Sequence, residues 1–276
     1  MFRVVGEFGA AVRHERKIDM GTHGIFIWNE AVTADQKKSG EFYSALLGWD
    51  RRELDAGSFG TYTLFQRNGR DIAGMMNPTS DYSRARPAWW SAYIDVADVD
   101  KVVARAEQLG GQIVEPITDV PSFGRACMIA DPVGAIICLV TPVAVEAERP
   151  GSGPFVRHHL VTTDQAKSGA FYSELLGWTR REVDAGPFGT YTIFQRDSDD
   201  VAGMMNPTID YTRSRQSSWY AYVTVDNVGA YANRTVQLGG TIIEPPHDVP
   251  GFGRVCLIAD PMGAPLTLVT PVTGRP

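Results

Sequence analysis

The stretch Asp35-Gln-Lys-Lys-Ser-Gly-Glu-Phe-Tyr-Ser-Ala-Leu-Leu-Gly-Trp49 returns almost unchanged as Asp164-Gln-Ala-Lys-Ser-Gly-Ala-Phe-Tyr-Ser-Glu-Leu-Leu-Gly-Trp178. The shift that superimposes these two segments aligns Ala31 to Val143 with Leu160 to Val272 without a gap, at roughly 60% identity, so the chain is an internal duplication. Within the first copy, Phe42, Tyr43, Leu46 and Leu47 fall three and four residues apart and form one apolar stripe. That spacing predicts an amphipathic helix, with Thr33 or Asp35 able to cap its start and Gly48 offering a left-handed stop. A stripe of this kind must be buried against something, and the flanking residues predict a sheet.

Upstream, Ile25-Phe-Ile-Trp-Asn-Glu-Ala-Val-Thr33 is short, β-branched and aromatic, as suits a first strand. Downstream, Tyr62 to Arg67 and Ile72 to Met76 read as strands joined by a hairpin at Asn68-Gly69. A polar connector, Thr79 to Pro87, leads to the strand Trp90 to Val96 and a second helix whose stripe is Val99, Val102, Val103, Ala106 and Leu109. Strands at Cys127 to Ala130 and Ala135 to Val140, joined by the turn Asp131-Pro-Val-Gly134, close the copy. Each copy therefore reads as a pair of βαβββ modules, an α+β layout with sheet on one side and helices on the other. The division expected is an extension over 1–22, a first domain over 23–145, a linker rich in Glu, Pro and Gly over 146–154, and a second domain over 155–272. The two domains are expected to superpose about a pseudo-twofold axis.

The 276 residues are 43% apolar and carry a formal charge of −6 with acids and bases interspersed. This composition supports two cores and offers no basic patch for nucleic acid or for an anionic membrane. The three cysteines are odd in number, with Cys127 and Cys256 equivalent on apolar strand patterns, so free buried thiols in a reducing compartment are expected rather than a disulfide framework. With no apolar segment of signal-peptide or membrane-spanning length, the expected location is the cytoplasm.

The pattern resembles the vicinal oxygen chelate superfamily, which includes glyoxalase I, bleomycin and fosfomycin resistance proteins and extradiol dioxygenases. The residues carrying the resemblance are Ser39-x-x-Phe42-Tyr43 with Leu47-Gly48-Trp49, Val96-x-Asp98-Val99-Asp100, Gly110-Gly111 and Asp131-Pro-x-Gly134. The chain looks most like the tandem glyoxalase-like proteins of bacteria, whose first strand carries Trp-Asn-Glu as Trp28-Asn29-Glu30 does. The resemblance implies that each domain forms a half-barrel cup. It also implies ligand positions for a divalent metal, which fall here on Trp28, Ser91 and Cys138 in the first copy and on Arg157, Tyr220 and Thr267 in the second. None is a carboxylate or imidazole, so no metal and no cofactor is expected.

On the side of the first strand that the resemblance makes concave, period two places Trp28 and Glu30, with Arg157 and His159 in the second copy. Glu30 and His159 are the candidate catalytic groups, as general bases or as anchors for a polar ligand group. Met76, Ser91, Tyr93 and Cys138, with Met205, Tyr220, Tyr222 and Thr267, are the candidate ligand-binding surface beside Trp28 and Arg157. His158 points to the helix side and is expected to be structural, with His23 and His247 on the surface. The function expected is binding of a small organic molecule, sequestered or transformed without a metal. A metal-dependent lyase or dioxygenase with a relocated site, and a non-catalytic partner-binding protein, are the alternatives. The second cup is expected to prefer an anionic ligand and the first a cationic or donor-bearing aromatic one. Monomer and homodimer are both compatible with the sequence.

Overall fold

A computed structural model describes residues 23–143 and 153–272, so the expected N-terminal extension and most of the linker lie outside the described residues. The first half contains β1 (Ile25–Val32), α1 (Gln36–Leu47), β2 (Asp50–Asp55), β3 (Thr61–Arg67), β4 (Arg70–Met76), the single turn α2 (Asp81–Arg84), β5 (Trp89–Asp95), α3 (Val99–Gln108), β6 (Gln112–Val120), β7 (Gly124–Ala130) and β8 (Ile136–Pro142). The second repeats it as β9 (Phe155–Val161), α4 (Gln165–Leu176), β10 (Thr179–Asp184), β11 (Thr190–Arg196), β12 (Asp199–Met205), α5 (Asp210–Arg213), β13 (Ser218–Thr224), α6 (Val228–Gln237), β14 (Thr241–Val249), β15 (Gly253–Ala259) and β16 (Pro265–Pro271). Each half forms one eight-stranded sheet, ordered β2-β3-β4-β1-β5-β8-β7-β6 and β10-β11-β12-β9-β13-β16-β15-β14. The paired βαβββ modules therefore meet at β1 and β5, which run antiparallel with Glu30 opposite Ser91.

Local chemistry accounts for these elements. Asp35 caps α1 by accepting the Lys38 N–H at 2.9 Å, and Gly48 closes it with φ +70°, the left-handed conformation that costs glycine least. Asp98 caps α3 in the same way, from Lys101 N–H at 3.1 Å. The Asn68-Gly69 hairpin has positive φ at both residues, as a tight turn between right-twisted strands requires. Three elements of the first half, β2, β6 and α2, were not expected from the sequence. The strand β2, exposed along its whole length, lacks the alternation that would have announced it. The turn α2 hides inside the polar connector, where Ser80 caps it by accepting the Ser83 N–H.

The helix faces of the two halves are packed on one another, and the cores are shared. One core joins α1 and the first module, through Phe42, Tyr43, Trp49 and Phe65, to β13, β15, β16 and α6 of the second half, through Val223, Val228, Cys256 and Leu268. The other joins α3, β7 and β8 to α4 and the third module in the same manner. These exchanged pairs, α1 on α6 and α3 on α4, have the pattern of a pseudo-twofold. Near its axis His158 Nε2 donates to Asn29 Oδ1 at 2.8 Å, and the imidazole stacks on Phe26 with centroids 3.8 Å apart. Residues 29 and 158 are equivalents in the duplication, so His158 is structural, as its helix-side register predicts.

The recurring motifs fasten this seam. In the turn Asp131-Pro-Val-Gly134, Asp131 Oδ1 accepts the N–H groups of Val133 and Ala135. Its Oδ2 accepts the Ser168 hydroxyl from the other half at 2.8 Å. Tyr172, which accepts the Trp219 indole N–H at 2.9 Å, faces the same carboxylate. Asp260, Tyr43 and Trp90 take the equivalent places, with Asp260 Oδ1 accepting the Met262 and Ala264 N–H groups, but its Oδ2 has no hydrogen-bond partner. Burial raises the carboxyl pKa of both Asp131 and Asp260, while the donors around them pull it back. His23 and His247, expected on the surface, are both partly buried. His23 Nδ1 accepts the Ala97 N–H where the chain enters β1.

Candidate functional site

The face of each sheet turned away from the helices is the candidate site, and strand register decides what lines it. Cross-strand partners share a face, so Trp28 opposite Tyr93, Glu30 opposite Ser91 and Gly74, and Cys138 opposite Tyr93 all belong to the first cup. Met76, level with Tyr62 and Val32, lies toward its rim. In the second cup Arg157 pairs with Tyr222, His159 with Tyr220 and Gly203, and Tyr222 with Thr267. Met205, level with Val161, takes the rim position there.

The first cup is filled by its own side chains. Tyr62 lies across the sheet over Gly74, so close that a Cβ at residue 74 would stand 1.8 Å from the phenol oxygen. The Trp28 indole donates to the Tyr62 oxygen at 3.1 Å, and the Tyr93 hydroxyl donates to Glu30 Oε1 at 2.9 Å. Phe123, from the turn between β6 and β7, sits over both Trp28 and Tyr93. Glu30 is only 4% exposed. Burial raises its pKa, and the hydrogen bonds of Tyr62 and Tyr93 partly oppose that shift. Ser91 accepts the Trp89 indole N–H at 2.8 Å and is therefore satisfied locally.

Fit between Gly74 and Tyr62 gives a direct test. Gly74→Ala is expected to cost about 1–3 kcal/mol in chemical denaturation, because the phenol must leave a packed site, but well under 1 kcal/mol in a Tyr62→Ala background. Equal costs in the two backgrounds would show that Tyr62 does not occupy that place.

The second cup uses the same scaffold with different polar groups. Arg157 donates from Nη1 to the Tyr191 oxygen at 3.1 Å, and its guanidinium lies 5.0 Å from the Phe252 ring centroid. His159 is hydrogen-bonded through Nδ1 to the Tyr222 hydroxyl at 2.9 Å, with the Tyr191 ring edge-on at 5.2 Å. Its Nε2 is buried with no hydrogen-bond partner. Burial, reinforced by the Arg157 charge, depresses the imidazole pKa to about 3, so His159 is neutral near pH 7. Tyr220, on the same strand face, also reaches the seam between the halves, where Tyr211 and Arg215 adjoin it.

The positions at which the resemblance implies a metal carry a donor set that does not fit one. Cys138 is an isolated thiol with its pKa raised by burial, Ser91 is engaged by Trp89, and Arg157 is a permanent cation. Among the described residues no group of three or more His, Cys, Asp or Glu side chains converges as a divalent ion requires. All three cysteines are free and buried, and burial pushes the Cys127 and Cys256 thiols up to about 12 and about 11. They are poor nucleophiles in this state.

Two features of the site escaped the sequence reading. Phe123 and Phe252, in the turns before β7 and β15, were not among the candidates, yet they cover the cups. Tyr62, read as the start of a strand, and its equivalent Tyr191 fill the cup floors. A usable signal was present: Gly74 and Gly203 sit mid-strand, where glycine marks close approach by another group.

Two consecutive cups of this topology define the class. The chain belongs to the Glyoxalase/Bleomycin resistance protein/Dioxygenase superfamily, which it matches over residues 26–139 and again over 155–268. It is 29% identical over 252 residues to "Putative glyoxylase CFP32" of Mycobacterium tuberculosis, covering 88% of this chain and 94% of that protein. It is also 29% identical over 269 residues to the anthracycline biosynthesis protein DnrV of Streptomyces peucetius, covering 92% and 95% of the two chains. Among solved structures, the 2,3-dioxygenase LapB of Pseudomonas sp. KL28 shares the fold, with a TM-score of 0.60 at 12% identity over 92% of this chain and 96% of that one. No helix among the described residues is long and apolar enough to cross a membrane.

Proposed function

We propose that this protein binds a small organic molecule in its second cup without a divalent metal, the Arg157 and His159 side chains holding an anionic or acceptor-rich group of the ligand. The observation that carries this reading is the orphaned His159 Nε2. A buried polar atom without a partner costs about 1–3 kcal/mol, whereas Trp28, Glu30, Tyr62, Ser91, Tyr93, Arg157, Tyr191 and Tyr222 are all hydrogen-bonded. The tautomer with hydrogen on Nε2 would accept the Tyr222 hydroxyl through Nδ1 and offer its N–H to a ligand oxygen beside the Arg157 charge. A pKa near 3 makes this imidazole a weak base, which favours anchoring over proton abstraction. Full-length relatives whose names place them in glyoxylase chemistry and in anthracycline biosynthesis support a small organic ligand.

Entry requires Phe252 to swing aside, and its turn contains the glycine pair Gly251 and Gly253 that could hinge it. Screening planar carboxylates by thermal shift is expected to yield a stabilising ligand. His159→Phe should then weaken that ligand by about 1–3 kcal/mol, whereas Glu30→Gln in the first cup should change its affinity little. A ligand indifferent to His159→Phe and to Arg157→Gln would place binding elsewhere.

A second reading rests on Glu30. A carboxyl group raised by burial and held by the Tyr93 hydroxyl is a better candidate base than His159, whose pKa is depressed to about 3. In this reading the first cup transforms its ligand without a metal, and Trp28 with Tyr93 and Cys138 contacts it.

A further inference from the structure

A groove of about 90 Å³ lies at the seam of the two halves, where β5 and β13 begin. Equivalent residues of both copies line it, among them Arg86 and Arg215 and the indoles of Trp90 and Trp219, so it straddles the pseudo-twofold. The two arginines are held in similar ways. Arg86 lies 4.5 Å over the Tyr82 ring, and Arg215 lies 4.1 Å over the Tyr211 ring. Stacking occupies the guanidinium face and leaves N–H groups at the edge, beyond the one that Arg86 gives to Gln216, to meet a planar oxyanion.

Charge at the groove is uncompensated. No acidic side chain lines it. Arg86 donates to the Gln216 side-chain oxygen across the seam at 2.9 Å, a neutral partner, and neither arginine pairs with a carboxylate among the described residues. Most other arginines of the structure do pair, as Arg52, Arg84, Arg105, Arg125 and Arg254 show. The Tyr211 hydroxyl on the groove wall is buried and has no hydrogen-bond partner. Two cations, an unengaged hydroxyl and apolar indole walls around a volume of this size have the chemistry of a site for one compact anion.

We propose that this groove binds a small oxyanion, a carboxylate or a phosphate-sized group, between Arg86 and Arg215, with the Tyr211 hydroxyl donating to it. The groove shares Tyr220 with the second cup, but its charged groups come from the connectors that precede β5 and β13 and not from the cup floors. An anion bound there would touch both halves and would strengthen their packing by mass action.

The test titrates the full chain with inorganic phosphate and, separately, with benzoate, at constant ionic strength, by calorimetry and by thermal unfolding. Saturable binding of at least one of them is expected, and the stronger of the two distinguishes a phosphate from a carboxylate site. Arg215→Gln and Arg86→Gln should each weaken it about tenfold, Tyr211→Phe several-fold, and Arg215→Lys should restore only part of the loss because the fork is gone. Arg157→Gln in the second cup should leave it unchanged. Tyr211→Phe is the mildest of these changes and keeps the test sound if an arginine variant fails to fold. Absence of saturable binding by both anions overturns the proposal, and so does binding that survives the Arg86→Gln, Arg215→Gln double change or that vanishes with Arg157→Gln.

Discussion

Produced without its partner, the segment 23–143 is expected not to exist as a folded monomer. In the intact chain Phe42, Tyr43, Trp49 and Phe65 are covered by Val223, Val228, Cys256 and Leu268 of the second half, and α3 with β8 is covered by α4 and the third module. Removing the second half would expose both apolar faces at once. At about 25 cal/mol per Å² of apolar surface, uncovering even several hundred Å² exceeds the stability of a typical domain. The separated half should therefore be molten or self-associated by size-exclusion chromatography and near-ultraviolet circular dichroism, and mixing it with residues 153–272 should restore a one-to-one complex with native signals. A monomeric, cooperatively unfolding first half would refute the shared-core description.

Acid should weaken the protein through two imidazoles. Burial holds both His158 and His159 at a pKa of about 3 in the folded chain, against an ordinary value of 6.5. The unfolded chain binds protons that the folded one refuses, so the stability these residues contribute is complete above pH 6.5 and is lost as the pH falls toward 3. The loss should be on the order of 2–3 kcal/mol per histidine by about pH 4.5. Glu30, Asp131 and Asp260 act in the opposite sense. Their folded pKa values are raised by burial, so the folded state takes up protons before the unfolded one does and part of the acid loss is offset. Urea midpoints measured between pH 7 and pH 4.5 should fall steeply for the native chain and less steeply for His158→Gln combined with His159→Gln. Parallel profiles would mean that these imidazoles are charged in the fold.

Much of the fold was legible because the duplication doubled every local signal. The α1 stripe, its Asp35 cap and its Gly48 stop each appear twice at the same spacing, and the hairpin dipeptide at 68–69 announced its own conformation. By contrast β2 was invisible, since a strand exposed on both faces carries no alternation, and α2 is too short for a period to show. Cup-facing register was legible from Trp28 and Glu30, because side chains of a strand alternate whatever packs on them. Occupancy of the cups was not. Whether Tyr62 lies over Gly74 or points to solvent, and whether Phe123 covers Tyr93, depend on contacts between strands far apart in sequence. The recurring Ser39, Tyr43 and Asp131 were readable as a pattern, but their role in fastening one half to the other emerges only when both halves are present.

The His158 and Asn29 contact near the axis has a meaning for how such a chain can change. Two separate copies of one polypeptide, meeting about a true twofold, would set identical side chains against each other, so any substitution there would be made on both sides at once. A pair as unlike as imidazole and carboxamide is beyond them. Joining the copies in one chain removes that restriction, and the same freedom lets one cup keep a carboxylate where the other has an imidazole. Tandem fusion in this molecule is thus a way for inherited symmetry to be spent on difference, with the seam held constant while the two hollows diverge.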